Sequence, residues 1–135
     1  MTHATVLPAG WPRPSGYSNG IVASGRQVYI SGQIGWDAQR QFPGADFTAQ
    51  VRQTLANIVA VLAAAGGRPE HLVRLTWFIT SRDEYHAALA AVGAAYREVI
   101  GRHYPTMSVV QVTSLMESAA KVEIEATAVI PDGAG

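Results

Sequence analysis

The spacing of apolar residues in this chain changes from that of a helix to that of a strand. Four apolar residues recur at the intervals of one helical face, at Val51, Leu55, Ile58 and Leu62. The stretch Leu72–Thr80 then alternates with a period of two residues, which is typical of a strand with two unlike faces. A chain with both periods has to bury a helix against a sheet, which predicts a mixed α and β architecture.

Residue types that start and stop helices mark the limits of two predicted helices. Asp46 can cap the start of the first helix, and Gly66 and Gly67 end it. The second helix is predicted to begin at the capping box Ser81–Glu84 and to end before Gly101. Its expected apolar stripe consists of Tyr85, Leu89, Val92, Tyr96 and Val99.

Shorter apolar runs predict the remaining strands and their connections. Residues 5–20 are rich in proline and glycine and are interpreted as an N-terminal arm, with residues 1–16 as its part outside the predicted domain core. Ser24–Arg26 is expected to be a hairpin turn, and Gly32–Ala45 a loop. The other predicted strands are Ile21–Ala23, Gln27–Ser31, Thr106–Val112 and Lys121–Ile130. The resulting order β-β-α-β-α-β-β predicts one α+β domain over residues 1–135.

The low charge of the chain predicts that it associates with copies of itself. Charged residues make up 15% of the sequence, against about 25% in a typical soluble domain. Both helices are expected on one face of the sheet, which leaves the other face uncovered. Because a small domain with few charges has to protect such a face, we expect a homo-oligomer.

Charge balance and residue content exclude several classes of protein. Ten basic residues balance ten acidic residues, so we expect neither nucleic acid nor a membrane surface as a partner. The absence of cysteine excludes disulfides and thiolate catalysis. The four histidines lack the spacing of metal ligands, so no metal site is expected. No secretory signal or membrane-spanning stretch is evident, which predicts a cytoplasmic protein.

Three side chains are candidates for chemistry. Glu123 shares one side of the last predicted strand with Glu125, an arrangement found both in general acid–base sites and on ordinary solvated strands. Ser31 ends a predicted strand, where a hydroxyl can face a cavity or stabilise a turn. Tyr17 lies in the arm and can either cover a pocket or pack against the domain.

Several segments together resemble the Rid family, also called the YjgF or L-PSP endoribonuclease-like family. The matching segments follow the family's order from about residue 14 to residue 130. They are Gly16–Gly20, Val28–Ile34, Gln53–Ile58, Ala64–Gly67, Leu75–Thr80 and Val122–Ala128. This resemblance implies a chorismate-mutase-like α+β fold, in which the sheets of a homotrimer form a central barrel, the helices lie outside and ligand pockets lie between subunits.

The resemblance also implies a reaction. The best-known members hydrolyse reactive 2-enamine and 2-imine acids to 2-keto acids and ammonia without a cofactor. In those members a tyrosine of the arm, a serine, an arginine and a glutamate line the pocket. Tyr17, Ser31 and Glu123 match three of these positions, and Glu123 is expected to be the catalytic residue.

Met107 occupies the position of the family's arginine, which grips the substrate carboxylate. Methionine has neither charge nor a hydrogen-bond donor, so it cannot bind a carboxylate in this way. We therefore expect Met107, together with the backbone of Ser108 and Val109, to line a less polar substrate pocket. The substitutes available for holding an acid group are Trp36, Arg13 and His103, each of which also suits a structural role.

Three functions are compatible with these residues. The first is a cofactor-independent enamine or imine deaminase whose substrate range has changed with Met107. The second is a non-catalytic trimer that binds a small metabolite, which is what loss of the arginine predicts. The third, endoribonuclease activity, is disfavoured because the chain has no net positive charge and a single lysine.

Overall fold

The computed structural model describes residues 2–133. Met1 of the predicted arm and residues 134–135 of the predicted domain lie outside this range. The described elements are β1 (Ala4–Val6), β2 (Gly20–Val22), β3 (Arg26–Ile34), α1 (Phe47–Ala64), a 3₁₀ turn (Pro69–His71), β4 (Leu72–Ile79), α2 (Arg82–Ala87), α3 (Leu89–Val99), β5 (Thr106–Gln111) and β6 (Val122–Ile130). None of these helices has the length and apolar character needed to cross a bilayer.

Four strands form the main sheet, in the order β3-β6-β4-β5. β6 runs antiparallel to both of its neighbours, and β5 pairs with β4 in parallel. α1 packs on β3 and β6, and α3 packs on α1. The predicted α+β class is therefore confirmed. We call the side of this sheet that faces away from α1 the open face; Tyr29 on this face is 73% exposed.

The first helix forms as its sequence predicts. The carboxylate of Asp46 accepts a hydrogen bond from the N–H of Ala49 at 2.9 Å, which satisfies one free donor at the helix start. Gly66, with φ of +85°, follows the end of the helix in the left-handed conformation that glycine favours. The four stripe residues, Val51, Leu55, Ile58 and Leu62, are fully buried. Each buried side chain of this kind stabilises the fold by about 1.5–3 kcal/mol.

The second predicted helix is wrong in its extent, because it consists of two helices. Ser81 caps α2 as predicted, accepting a hydrogen bond from the N–H of Glu84 at 3.1 Å. Ala88 then leaves the helical conformation, with φ of −103° and ψ of 8°, and α3 starts afresh. The break changes which residues face the core. Val92 and Tyr96 are buried as expected, but Leu89 is 50% exposed.

The predicted hairpin before the first helix is also wrong. β2 pairs with β1 of the arm, in a register that joins Ile21 to Thr5. At Gly25 the chain passes close to the end of β6. A Cβ on residue 25 would lie only 2.9 Å from the Cα of Pro131, so glycine permits this close approach. Alternating apolar residues identify a strand but not its neighbour, which explains the error. The predicted loop Gly32–Ala45 starts too early, because β3 continues to Ile34.

Candidate functional site

A β-bulge places Ser31 at the surface of the sheet. Ile30 pairs with Ala126 of β6 and Gln33 pairs with Ile124, so Ser31 and Gly32 lie opposite the single residue between these partners. A bulge of this kind bends the strand and redirects its side chains, and bulges are frequent beside active sites. Ser31 is exposed as a result.

The carboxylate of Glu123 lies directly over Gly32. A Cβ on residue 32 would be only 2.8 Å from Cδ of Glu123, which is closer than such atoms approach one another. Glycine is thus required at this position if the carboxylate is to keep its place. Glu123 is half-buried, whereas Glu125, two residues further along the strand, is exposed. The bulge therefore puts Ser31 and Gly32 opposite Glu125, and the carboxylate of Glu123, whose backbone pairs with Ile34, extends over Gly32.

The open face carries a cleft of about 370 Å³ beside Ser31. Its polar lining includes Arg74, Thr76 and Glu125, brought together because Thr76 pairs with Glu125 across β4 and β6. We call this group, with Ser31, the open-face cleft. The sequence analysis did not select Arg74. Its position in the alternating run of β4 indicates the face on which it lies, but the pairing of β4 with β6 is needed to place it near Ser31.

A second cavity, of about 420 Å³, lies on the helix side of β5. Its walls come from the arm, from β4 and β5, and from α2 and α3. We call it the aromatic cavity, defined by Tyr17, Trp77, Tyr85, Tyr96, Tyr104 and Met107. Val109 also lines it, while Ser108 between these two positions is exposed. The structure thus places Tyr17 and Met107 together, as expected, but Ser31 and Glu123 do not line this cavity.

Hydrogen bonds from the arm fix Tyr17 at the cavity. The N–H of Ser18 donates to the carbonyl of Pro105 at 3.1 Å, and its hydroxyl donates to the carbonyl of Tyr104 at 2.5 Å. These bonds attach the arm to the chain just before β5. Tyr17 is therefore held against the strand that carries Met107.

The wall formed by Tyr96 and Tyr104 is rigid and apolar. Their rings stack with centroids 5.5 Å apart, and the Tyr96 hydroxyl donates to the carbonyl of His103 at 2.7 Å. Burial raises the pKa of Tyr96 far above its ordinary value, and burial also raises the pKa of Tyr85. Both phenols therefore stay protonated and uncharged at neutral pH.

The backbone of β5 offers a donor at its free edge. The N–H of Val112 donates to the carbonyl of Ile79 at 2.8 Å. Backbone groups of successive residues point to opposite sides of a strand, so the N–H of Ser108 also faces β4. The N–H of Val109 faces the other way, toward the edge, since β5 is the outermost strand of this sheet in the described part of the chain.

The proposed substitutes for the missing arginine lie in different places. Arg13 and His103 line a neighbouring cavity of about 510 Å³, which shares Tyr17 with the aromatic cavity. His103 is held there through its Nε2, which lies 2.7 Å from the carbonyl of Leu72. Trp36 packs elsewhere, with the Arg40 guanidinium 5.5 Å from its ring centre. The sequence analysis missed Arg97 of α3, which lines the aromatic cavity itself.

The fold and these side chains define a small α+β domain with a ligand-sized cavity at one edge of its sheet. The family model described as Endoribonuclease L-PSP matches residues 12–130, almost the whole chain. The chain belongs to this family, which is the Rid or YjgF family that the sequence motifs indicated.

Individual relatives agree with this assignment. The Escherichia coli protein named "Putative reactive intermediate deaminase TdcF" is 36% identical over 108 residues, covering 78% of this chain and 80% of the relative. Its crystal structure with bound serine has a TM-score of 0.68 at 33% identity, covering 94% of this chain and 98% of that one. A Salmonella typhimurium protein named 2-iminobutanoate/2-iminopropanoate deaminase is 35% identical over 108 residues, with coverage of 78% and 80%.

Similarity in structure extends over nearly the full length of the chain. The crystal structure of the Rid-family protein YyfB from Yersinia pestis has a TM-score of 0.83 and is 33% identical, covering 96% of this chain and 100% of that one. The relatives named as deaminases support a Rid-type imine deaminase family for this chain.

Proposed function

We propose that this protein is a cofactor-independent enamine and imine deaminase, which hydrolyses C=N bonds to a carbonyl and ammonia. The observation that carries this proposal is the carboxylate of Glu123, held over Gly32, the residue that follows Ser31 in β3. The names of the deaminase relatives support the same chemistry. A carboxylate and a hydroxyl at adjoining positions suit a reaction whose difficult steps are proton transfers.

The reaction needs one water molecule and no redox partner. Glu123 accepts a proton from that water as its oxygen attacks the C=N carbon, and the carboxyl group passes this proton to the nitrogen, which gives a neutral carbinolamine. Glu123 then accepts the hydroxyl proton of the carbinolamine and passes it to the amine nitrogen, so that the C–N bond breaks and ammonia leaves as the C=O bond forms. The Ser31 hydroxyl hydrogen-bonds the reacting group, and Tyr17, Met107, Ser108 and Val109 bind the substrate.

In our proposal the site is composite: one copy of the chain supplies one half of the site and a neighbouring copy supplies the other half. Tyr17 and Met107 lie on the helix side of β5, whereas Ser31 and Glu123 lie on β3 and β6. In a homotrimer whose sheets form a barrel with helices outside, the β3 of one copy adjoins the cavity of the next. The open face, with Tyr29 and Val110 exposed, supports an interface of this kind.

The substrate range follows from the walls of the aromatic cavity. Met107 gives the cavity no charge at the position where small imino acids are gripped in related enzymes. Trp77, Tyr85 and Val92 instead provide apolar surface. We therefore propose that the enzyme prefers imines with bulky apolar side chains over those derived from serine or threonine.

An imine panel tests this proposal. An amino-acid oxidase generates imines from leucine, phenylalanine, serine and threonine, and the release of ammonia and keto acid is followed with and without the protein. We expect acceleration that is greatest for leucine and phenylalanine. No acceleration anywhere in the panel would overturn the deaminase proposal, and a monomer in light scattering would overturn the composite site.

Binding without catalysis is the second candidate, and Met107 is the observation that favours it. The structure of TdcF with bound serine shows that a relative holds a small amino acid. If the panel shows no turnover, saturable binding of the same keto acids in calorimetry supports a metabolite-binding trimer.

A further inference from the structure

One charged side chain lines the aromatic cavity in the described part of the chain, and it is Arg97. It forms none of the three ion pairs found among residues 2–133, which join Arg52 to Glu98, Arg68 to Glu70 and Lys121 to Glu84. The cavity lining contains no acidic residue from the described chain that could neutralise it. Arg97 is an exposed residue, so its guanidinium is in contact with solvent as well as with the cavity. A cation beside apolar walls favours an anion with an apolar body, because the anion can form a charge-assisted hydrogen bond while its body packs on the walls.

The cavity wall on α3 departs from the usual pattern of a packed helix. Its residues follow helical spacing and are Leu89, Val92, Gly93, Tyr96 and Arg97. Val92 and Tyr96 are buried, whereas Leu89 and Arg97 are exposed, so the departure lies at Gly93, which puts no side chain between these two exposed residues. Glycine inside a helix also destabilises it relative to alanine, so its presence calls for a reason.

Gly93 makes room for the guanidinium of Arg97. A Cβ on residue 93 would lie 3.3 Å from Nη1 of Arg97, one helical turn further on. The arginine therefore folds back along α3, over Gly93. An alanine at position 93 would be in tight contact with the guanidinium, which would have to move by a few tenths of an ångström, and a larger side chain would displace it further.

Trp77 contributes an apolar ring to the same cavity. Its side chain is only 2% exposed, and the indole N–H is buried below the cavity surface without a hydrogen-bond partner among the described residues. The ring is held in place by an edge-to-face contact with Tyr85, with centroids 6.3 Å apart. The cavity therefore offers the body of a ligand a fixed apolar surface, and the guanidinium of Arg97 is the charged group beside it.

We propose that Arg97 is the anion anchor of the aromatic cavity and that the cavity takes carboxylates with an aromatic or branched apolar body. The carboxylate pairs with Arg97, and the body lies among the aromatic rings and Met107. For the imine reaction this assigns the substrate class as bulky 2-imino acids, a step that rests on the proposed function. Arg97 thereby replaces the charge that Met107 lacks.

A matched pair of stable ligands tests the anchor without any catalysis. Phenylacetate and phenylacetamide have the same shape and differ in charge, and their binding is measured by calorimetry. We expect the wild-type protein to prefer the acid, and Arg97→Met to weaken acid binding about tenfold while leaving amide binding unchanged. Arg82→Met removes an exposed cation from α2, outside the cavity, and should change neither affinity. Equal binding of phenylacetate by wild type and Arg97→Met overturns the proposal.

Gly93→Ala is expected to have two opposite effects, which a purely structural role of Arg97 would not produce. Alanine favours the helix, so the melting temperature should rise, while displacement of the guanidinium should lower the affinity for phenylacetate several-fold. A higher melting temperature with unchanged acid binding overturns the inference that Gly93 makes room for the anchor.

Kinetics separates this proposal from the deaminase proposal. If the wild-type enzyme hydrolyses the imine of phenylalanine, Arg97→Met should raise KM and leave kcat nearly unchanged. An active enzyme whose KM does not respond to Arg97→Met overturns the anchor and leaves the deaminase intact. An inactive wild-type protein that binds phenylacetate through Arg97 overturns the deaminase and supports the anchor.

Discussion

The aromatic cavity and the open-face cleft are lined by opposite kinds of side chain. Five aromatic rings, from the arm, β4, α2, α3 and the segment before β5, surround the cavity, and Arg97 is the single cation in its described lining. The open-face cleft contains a hydroxyl, a carboxylate and a guanidinium, at Ser31, Glu125 and Arg74. Glu123 lies beside it, over Gly32.

From this difference we infer that the aromatic cavity binds the ligand and that the carboxylates of the open face carry out proton transfer. Enclosed apolar surface gives a ligand most of its binding free energy, and the aromatic cavity supplies that surface. Its phenols, with the raised pKa values of Tyr85 and Tyr96, are poor bases at neutral pH. The carboxylates lie on β6, where the sheet is open. We infer that neither region is a complete enzyme site by itself, so changes in the cavity should act mainly on binding and changes at Glu123 mainly on the rate of hydrolysis.

The largest effect is expected from the carboxylate of Glu123. In Glu123→Gln the side chain keeps its size and loses the proton acceptor, so the rate of imine hydrolysis should fall about 100-fold or more. Binding of phenylacetate should not weaken, since the aromatic cavity and Arg97 are unaltered and the change removes a negative charge from the proposed composite site. Single-turnover rates and calorimetry measure the two quantities.

Glu125→Gln is the matched control for this change. It lies on the same strand and the same face, two residues away, and it is exposed. Its rate should remain within about twofold of wild type. Equal losses in the two variants would show that the negative charge of the strand matters rather than the position of Glu123.

Local features of the fold were predictable from sequence, and features made by pairing were not. The caps at Asp46 and Ser81 involve residues within three positions of each other, so their pattern is visible in the chain. The pairing of β2 with β1 depends on the arm, whose proline and glycine content hid a short strand. The break at Ala88 has no sequence signal, because alanine favours helix continuation.

The same division holds for the candidate site. Tyr17, Ser31 and Glu123 were selected because each lies in a recognisable motif. Arg97 was missed because its role depends on a cavity assembled from the arm, β5 and α3. The available signals were weak: a glycine inside a helix, and a charge among residues at helical spacing. The meeting of Ser31 with Glu123 depends on a bulge, which one strand alone does not reveal.

The second largest effect tests the bulge. Gly32→Ala adds a Cβ that would meet Cδ of Glu123 at 2.8 Å, so the carboxylate has to move. Because small displacements of a catalytic group are costly, we expect imine hydrolysis to slow by about tenfold or more. The affinity for phenylacetate should not change. Wild-type rates in Gly32→Ala would contradict the placement of Glu123 as the catalytic base.

A smaller effect is expected from restoring the family's arginine in the aromatic cavity. Met107→Arg adds a second cation near Arg97 and reduces the apolar surface. Hydrolysis of the serine-derived imine should rise about tenfold relative to that of the leucine-derived imine, as a charge-assisted hydrogen bond to the carboxylate forms. Met107→Leu keeps the surface apolar and should leave this ratio unchanged. An unaltered ratio in Met107→Arg would show that the residue at position 107 does not determine which imine the enzyme prefers.

The smallest effect concerns the free energy of unfolding of the domain that carries both regions. His71 is 2% exposed, and its Nδ1 accepts the N–H of Arg68 at 2.9 Å. Burial lowers the pKa of His71, assisted by Arg68, His3 and His103 and opposed by Glu70. As the pH falls below about 6.5, the unfolded chain therefore takes up a proton at this residue that the folded chain resists, so stability falls.

The melting temperature should accordingly drop by a few degrees between pH 7.5 and pH 5.5. His71→Gln should flatten this dependence at some cost in stability at neutral pH, whereas His86→Gln, at an exposed position of α2, should leave the dependence unchanged. Because the loss affects the whole domain, imine hydrolysis and phenylacetate binding should decline together wherever the protein unfolds. A melting temperature that depends on pH equally in wild type and His71→Gln would show that another group is responsible.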